Sequence, residues 1–374
     1  MVGGSDKMES CRWELFRYAL PLKEPLRMLG QVLNERRGLI LRLIEISRES
    51  STADNFGEGE IAPLPGLHPE YLSQAESQIR EYLSANLKPT PRSEALFGSV
   101  RFGLDMALRT LLQSQQQSAG RNYMSAENGI NKKQLPVNGL TSASGKKLEL
   151  ECQQLQDAGF KTIKIKVGRQ TVQEDIERVK SARKILADDI SLRLDANRAW
   201  EWEEALEFAH AIKDCRIEYC EEPLSEFQKL EELHQQTEIP LALDETLWHN
   251  PNSQTLPKKG IRTLILKPGI IGAWENIKFW TAYAELNELD VVLSSSFESG
   301  LSLHWLAYTS AKLLSKQPAA GLDTGKCFAH DLIDPPFTLT NGNYVFPETW
   351  PTANHNYLHK IAEGNTKIAT ENDV

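Results

Sequence analysis

Apolar positions along this chain follow two rhythms, and the change falls near residue 134. From about Trp13 to Glu60 the text reads as strands and turns, with GLILRLIEI (38–46) the clearest strand. Helical spacing follows. Tyr71, Leu72, Ala75, Ile79 and Leu83 predict a helix over 70–88. Phe97, Val100, Leu104, Leu108 and Leu111 predict a second over 93–115. A polar stretch over 113–133 then reads as a linker or surface loop. After it, short apolar runs alternate with longer amphipathic ones. The runs lie at 134–140, 162–167, 191–196, 217–222, 239–245, 262–267, 290–296 and 319–323. Helical patterns over 146–159, 172–187, 200–214, 273–286 and 300–315 sit between them. Alternating β and α segments predict a parallel sheet. Eight strands with about seven helices favour a closed barrel over an open sheet.

Strand alternation then gives the charges a direction. In TIKIKV (162–167), Lys164 and Lys166 share one face and Ile163, Ile165 and Val167 the other. In SLRLD (191–195), Arg193 and Asp195 oppose Leu192 and Leu194. Asp244 opposes Leu241 and Leu243, and Lys267 opposes Leu264 and Leu266. The bulky residues suit the layer between strands and helices, so the charges aim into the barrel mouth. Lys164, Lys166, Asp195, Glu221, Asp244 and Lys267 thus recur at one structural position, the C-terminal ends of successive strands. That face is where barrel enzymes keep their sites. One inward Lys–Asp pair is as readily a structural salt bridge. Six charges in that order at consecutive strand ends are poorly explained that way.

Three carboxylates converging in one mouth repel each other without a cation. Oxygen ligands with no His or Cys suit a hard divalent ion, which favours Mg²⁺ over Zn²⁺. Lysines on either side of such an ion act on whatever it binds. Two neighbouring ammonium groups in a partly desolvated mouth are expected to have lowered pKa values, which suits a general base. At IEYCEE (217–222), parity does not choose between Glu221 and Glu222.

Composition narrows the partners. The 374 residues are 40% hydrophobic and 25% charged, which excludes wholesale disorder. A formal net charge of −9 gives no basic excess for nucleic acid or anionic membranes. The run at 38–46 is interrupted by Arg42 and Glu45 and is too short to span a bilayer. MVGGSDKMES has no apolar core, so no signal peptide is expected. Cys11, Cys152, Cys215, Cys220 and Cys327 form no CxxC and read as reduced thiols of a cytoplasmic protein. The expected partner is a small molecule. The sequence leaves the oligomeric state open, with a monomer slightly favoured.

The stretches TIKIKVG (162–168), LRLDANRAW (192–200), EEPL (221–224), LDET (243–246) and LKPGIIGA (266–273) resemble the enolase superfamily. GEGEIAPLPGLHPE (57–70), SVRFGLDMAL (99–108) and SSSFESGL (294–301) make the chain more closely similar to its o-succinylbenzoate synthase family, over about residues 13 to 348. The resemblance implies a modified TIM barrel, (β/α)7β, with an α+β capping domain. Composition alone reads a disordered N-terminus (1–12) and a polar, loose tail (351–374); between them the resemblance divides the covered chain into the cap (13–120), the barrel (121–325) and a segment packing back on the cap (326–350). It also implies dehydration of 2-succinyl-6-hydroxy-2,4-cyclohexadiene-1-carboxylate to 2-succinylbenzoate, toward menaquinone or phylloquinone, through a metal-stabilised enediolate. Carried over, Asp195, Glu221 and Asp244 hold Mg²⁺, with Mn²⁺ able to substitute; Glu221 is taken because the family ligand is the first acid before the Pro. Lys166 removes the α-proton, Lys267 stabilises the enediolate, and Lys164 tunes Lys166. Arg193 and Asn197 stand behind Asp195 as its supporting partners. Ser294 and Ser296 either bind the succinyl carboxylate or are a polar strand end. Rival readings are an N-acylamino-acid racemase or muconate-type cycloisomerase of the same superfamily, a metal-free Schiff-base aldolase, and a ligand-binding barrel without catalysis.

Overall fold

A computed structural model describes residues 9–28, 30–46, 55–85, 95–118 and 133–368. The linker after the second cap helix falls mostly outside them, as do the first eight residues and those beyond 368.

The cap is a four-stranded antiparallel sheet with two helices on one face. Glu9–Met28 lies between Gln31–Glu45 and His359–Ile368, and Phe56–Ile61 adds to the far side of Gln31–Glu45. Alternation sorts the two faces. Cys11, Trp13, Leu15, Leu39, Leu41 and Leu43 pack with Ile79, Leu83, Val100 and Leu104 of helices Leu72–Ser84 and Gly98–Ser118. Phe16, Tyr18, Leu20 and Ile40 point the other way, into a cluster shared with the barrel helix Gly300–Leu313 and the C-terminal segment. Strand Phe56–Ile61 lies almost on the helix. A Cβ at Gly59 would stand 1.8 Å from the Gly103 carbonyl oxygen, so glycine permits that approach.

Both termini differ from the expectation. The N-terminal strand begins at Glu9, so residues 9–12 belong to the sheet. In place of a loose tail from 351, His359–Ile368 is an ordered strand paired with Glu9–Arg17. Ala353 N also donates to Glu58 Oε2, 2.7 Å away.

The second unit is a seven-stranded parallel sheet in chain order. Its strands are Gly139–Thr141, Thr162–Lys166, Ser191–Asp195, Ile217–Glu221, Leu241–Leu243, Ile261–Leu266 and Asp290–Leu293. Val137 and Ser294, next to the two edge strands, both bridge in parallel to Ala320 and Gly321. The eighth strand is therefore two bridges long, and it closes the barrel. The run at 134–140 divides: Gln134–Pro136 instead pairs antiparallel with Asn343–Val345.

Burial follows parity. Ile163, Ile165, Leu192, Leu194, Leu241, Leu243, Leu264 and Leu266 join the helix-facing core. Tyr219, Ala242, Ile265 and Val292 form a separate apolar plug inside the barrel. No helix among the described residues is long and apolar enough to cross a membrane.

Candidate active site

The plug decides which acid of the EEP run enters the mouth. Tyr219 is inside it and Cys220 lies in the outer layer, so Glu221, two residues after Tyr219, points inward. Glu222 takes a positive φ of 42° and turns away. Asp195, Glu221 and Asp244 are all 0% exposed, on three adjacent strand ends.

The lysines reach these acids directly. Lys164 Nζ stands 2.7 Å from Asp195 Oδ2 and 2.6 Å from Glu221 Oε2. Lys166 Nζ donates to the same Asp195 oxygen at 2.5 Å and to Asn197 Oδ1 at 2.9 Å. Lys267 pairs with Asp244. All six charges read from the strand ends are therefore brought together in one mouth.

Electrostatics follow from that arrangement. Burial works against an Asp195 anion, but Lys164, Lys166 and Lys267 hold its carboxyl well below the usual range. Burial and the charges of Asp195 and Asp244 push Glu221 well above it, against the pull of Lys164. The lowered lysine pKa expected from two neighbouring ammonium groups does not hold for Lys164. Burial depresses it, yet Asp195 and Glu221 outweigh burial and raise it. Burial likewise works against the Lys267 ammonium, and Asp244 and Glu245 outweigh it. The sequence shows two lysines close together; it does not show how many acids surround each.

The supporting residues divide. Asn197 does back the mouth: its N–H donates to Asp195 Oδ1 at 3.1 Å and its amide to Glu245 Oε1 at 2.9 Å. Arg193 is inside the barrel but serves another place. It donates to the Ala319 carbonyl at 2.6 Å and to Glu218 Oε1 at 2.8 Å, closing the third strand onto the eighth. Ser296 has a buried hydroxyl with no partner among the described residues, a feature that suits a ligand. Ser294 Oγ is 3.4 Å from the Gly321 carbonyl oxygen, so it also serves barrel closure.

Among the described residues, no three His, Cys, Asp or Glu side chains stand grouped as a ready-made metal site. Asp195 and Glu221 instead share the Lys164 ammonium between them. The donor set still fits a hard cation. It is all oxygen, and Glu221 Oε1 is buried without a hydrogen-bond partner among the described residues.

Comparison with known proteins gives the family and the fold. A family model described as Enolase C-terminal domain-like matches residues 147–350, and one described as MenC, N-terminal domain, matches residues 10–111. The o-succinylbenzoate synthase of Haemophilus influenzae is 31% identical over 371 residues, covering 95% of this chain and 98% of that protein. The o-succinylbenzoate synthase of Vibrio cholerae is 31% identical over 328 residues, covering 86% and 91%. Among solved structures, a dipeptide epimerase from Cytophaga hutchinsonii, complexed with Mg and the dipeptide D-Ala-L-Val, superposes with a TM-score of 0.75. It is 22% identical and covers 95% of this chain and 99% of its own, a likeness of fold.

Proposed function

The chain belongs to the o-succinylbenzoate synthase family of the enolase superfamily, and we propose from that premise how its own residues carry the reaction. It is a hydro-lyase that dehydrates 2-succinyl-6-hydroxy-2,4-cyclohexadiene-1-carboxylate to 2-succinylbenzoate in menaquinone or phylloquinone biosynthesis.

Asp195, Glu221 and Asp244 would hold a divalent cation, Mg²⁺ with Mn²⁺ able to substitute. When bound, that ion supplies fixed positive charge against the charge developing on the substrate carboxylate. Lys166 takes the proton from the carbon bearing that carboxylate. To do so it must be neutral, so its hydrogen bond to Asp195 has to yield as substrate enters. Lys267, on the far side of the mouth, supplies a second positive charge to the same developing anion. The ring hydroxyl departs as water with the proton that Lys166 has taken, which returns Lys166 to its neutral state, and the ring becomes aromatic. Lys164 keeps Asp195 and Glu221 together. Ser296 offers its unpartnered hydroxyl to the succinyl carboxylate, with Ser294 beside it. The protein acts in the cytoplasm on this small molecule, without nucleic acid.

The observation that carries the reading is the convergence of three fully buried acids and three lysines on one barrel mouth. An ultraviolet assay of 2-succinylbenzoate formation tests it. Activity should vanish with EDTA and return with Mg²⁺ or Mn²⁺. Full turnover by exhaustively chelated protein would remove the metal from the reading. Borohydride trapping of substrate on a lysine would favour the Schiff-base alternative.

A further inference from the structure

Glu222 is fully buried, sits beside the mouth, and has no part in the chemistry proposed above. Both of its oxygens are used. Oε1 accepts from the backbone N–H of Asp244 at 2.9 Å and of Thr246 at 2.7 Å. Oε2 accepts from the Thr246 hydroxyl and from Arg198 Nε, each at 3.0 Å. Arg198 Nη2 also donates to the Thr246 hydroxyl at 2.8 Å, and the Arg198 N–H to the Glu222 carbonyl at 2.7 Å.

The reason for this cluster lies in the sheet. The fourth and fifth strands share two paired positions, Cys220↔Leu241 and Glu221↔Ala242. The fifth strand ends at Leu243, one residue short of Asp244. Asp244 then takes φ −128° and ψ −83°, outside regular strand geometry. The backbone ladder that fixes Asp195 against Glu221 therefore does not reach Asp244. The Glu222 carboxylate takes the ladder's place, holding the Asp244 N–H as a neighbouring strand's carbonyl would. Arg198 ties in the third strand, three residues past Asp195, with a positive φ of 62° that only surrounding contacts maintain. Each acid of the mouth is thus followed closely by one member of a second, outer triad.

We propose that Arg198, Glu222 and Thr246 form a positioning clamp that fixes the mutual spacing of Asp195, Glu221 and Asp244, and so sets affinity for the divalent ion. This rests on the reading that those three acids hold the ion. Mg²⁺ demands near-ideal octahedral geometry, so small displacements of its ligands are costly. Loss of such outer supports typically weakens metal binding 10–100-fold.

Isothermal titration of the chelated full-length protein with MgCl₂ tests the clamp, alongside the apo melting temperature. Thr246→Val keeps the side-chain shape and removes both hydroxyl contacts; Glu222→Gln removes the carboxylate. Both should raise the Mg²⁺ Kd by about tenfold or more at undiminished stoichiometry. Thr246→Ser should bind as the wild type does. A merely structural role would lower the stoichiometry and the melting temperature and leave Kd unchanged. That pattern, or unchanged binding in Thr246→Val, would overturn the clamp. Should Glu222→Gln fail to fold, the Thr246 pair alone decides. A wild-type protein that takes up no Mg²⁺ would instead remove the metal reading, and the clamp with it.

Discussion

Glu60 and Glu221 are both fully buried carboxylates, and their surroundings differ in kind. Glu60 lies at the seam between cap and barrel with its partners supplied. It accepts from the Tyr18 hydroxyl, from Ser299 N at 3.0 Å and from Ser299 Oγ at 2.7 Å. Nearby, Arg36 donates to the carbonyls of Phe297 at 3.0 Å and Ala62 at 2.7 Å, joining the same two units. Glu221 lies in the mouth with one oxygen on Lys164 and the other without a partner among the described residues. Its charge is disfavoured as the protein stands. A carboxylate satisfied within the chain holds two parts of the fold together. One left short of partners keeps its affinity for something that arrives from outside. On the proposed reading, the same residue type is structural at the seam and a metal ligand in the mouth because of what surrounds it.

The largest effects should come from the mouth. Lys267→Ala should lower turnover on the order of 10²–10³-fold, as loss of one fixed charge at a developing anion does. Lys164→Ala should be milder, since Lys164 acts through the acids it holds. Glu221→Gln should abolish Mg²⁺ uptake in a calorimetric titration. The neutral amide replaces a group whose charge is already disfavoured, so the apo melting temperature should hold or rise. A sharp fall in that temperature would erase the contrast with the seam.

Glu60→Gln is the counterpart. It should cost stability, about 1.5–3 kcal/mol for the weakened hydrogen bonds to a charged group. Mg²⁺ affinity should stay at the wild-type value. Denaturant unfolding and titration of the same sample measure both. Loss of Mg²⁺ binding without loss of stability would reverse the assignment of the two sites.

A smaller effect concerns Glu298, which is buried at the seam and accepts from Ser296 N at 2.5 Å. Burial, then the charge of Glu60, pushes its carboxyl up to about 7 from 4.5. Between those two pH values the folded chain keeps a proton that the unfolded chain has lost. Stability should therefore fall as pH rises through that window, by at most about 3 kcal/mol. Glu298→Gln should flatten this part of the curve. An unchanged slope would place the titrating group elsewhere.

The mouth was more legible in the sequence than the seam, and for a physical reason. Strand alternation assigns Lys164, Lys166, Asp195, Asp244 and Lys267 to one face whatever their neighbours do, so spacing alone locates them. Parity left Glu221 and Glu222 open and only the resemblance chose Glu221; its physical reason is the plug around Tyr219, a contact among four strands that no local pattern encodes. The role of Glu222 was invisible for a related reason. Its partners lie 22 to 24 residues away. Arg193 has the parity of Asp195 but lies deeper in the barrel, where its partners are Ala319 and Glu218. The strand His359–Ile368 reads as a polar tail because it is an edge strand, with Thr366 buried but most of its other side chains at least partly exposed. The eighth strand is legible only as an apolar run, since two bridges are all the regularity it has. Elsewhere the helical periods served well: the pattern over 172–187 is helix Val172–Ile185, and that over 300–315 is helix Gly300–Leu313.

The proposed chemistry begins with Lys166 as the base, and the Lys166→Ala protein tests that most directly. Two readings should be taken with Mg²⁺ present: 2-succinylbenzoate formation by ultraviolet absorbance, and exchange of the substrate's α-proton with deuterated solvent. Both should disappear, while calorimetric Mg²⁺ binding persists because the three acids remain. Near-normal formation of 2-succinylbenzoate by Lys166→Ala would contradict Lys166 as the base.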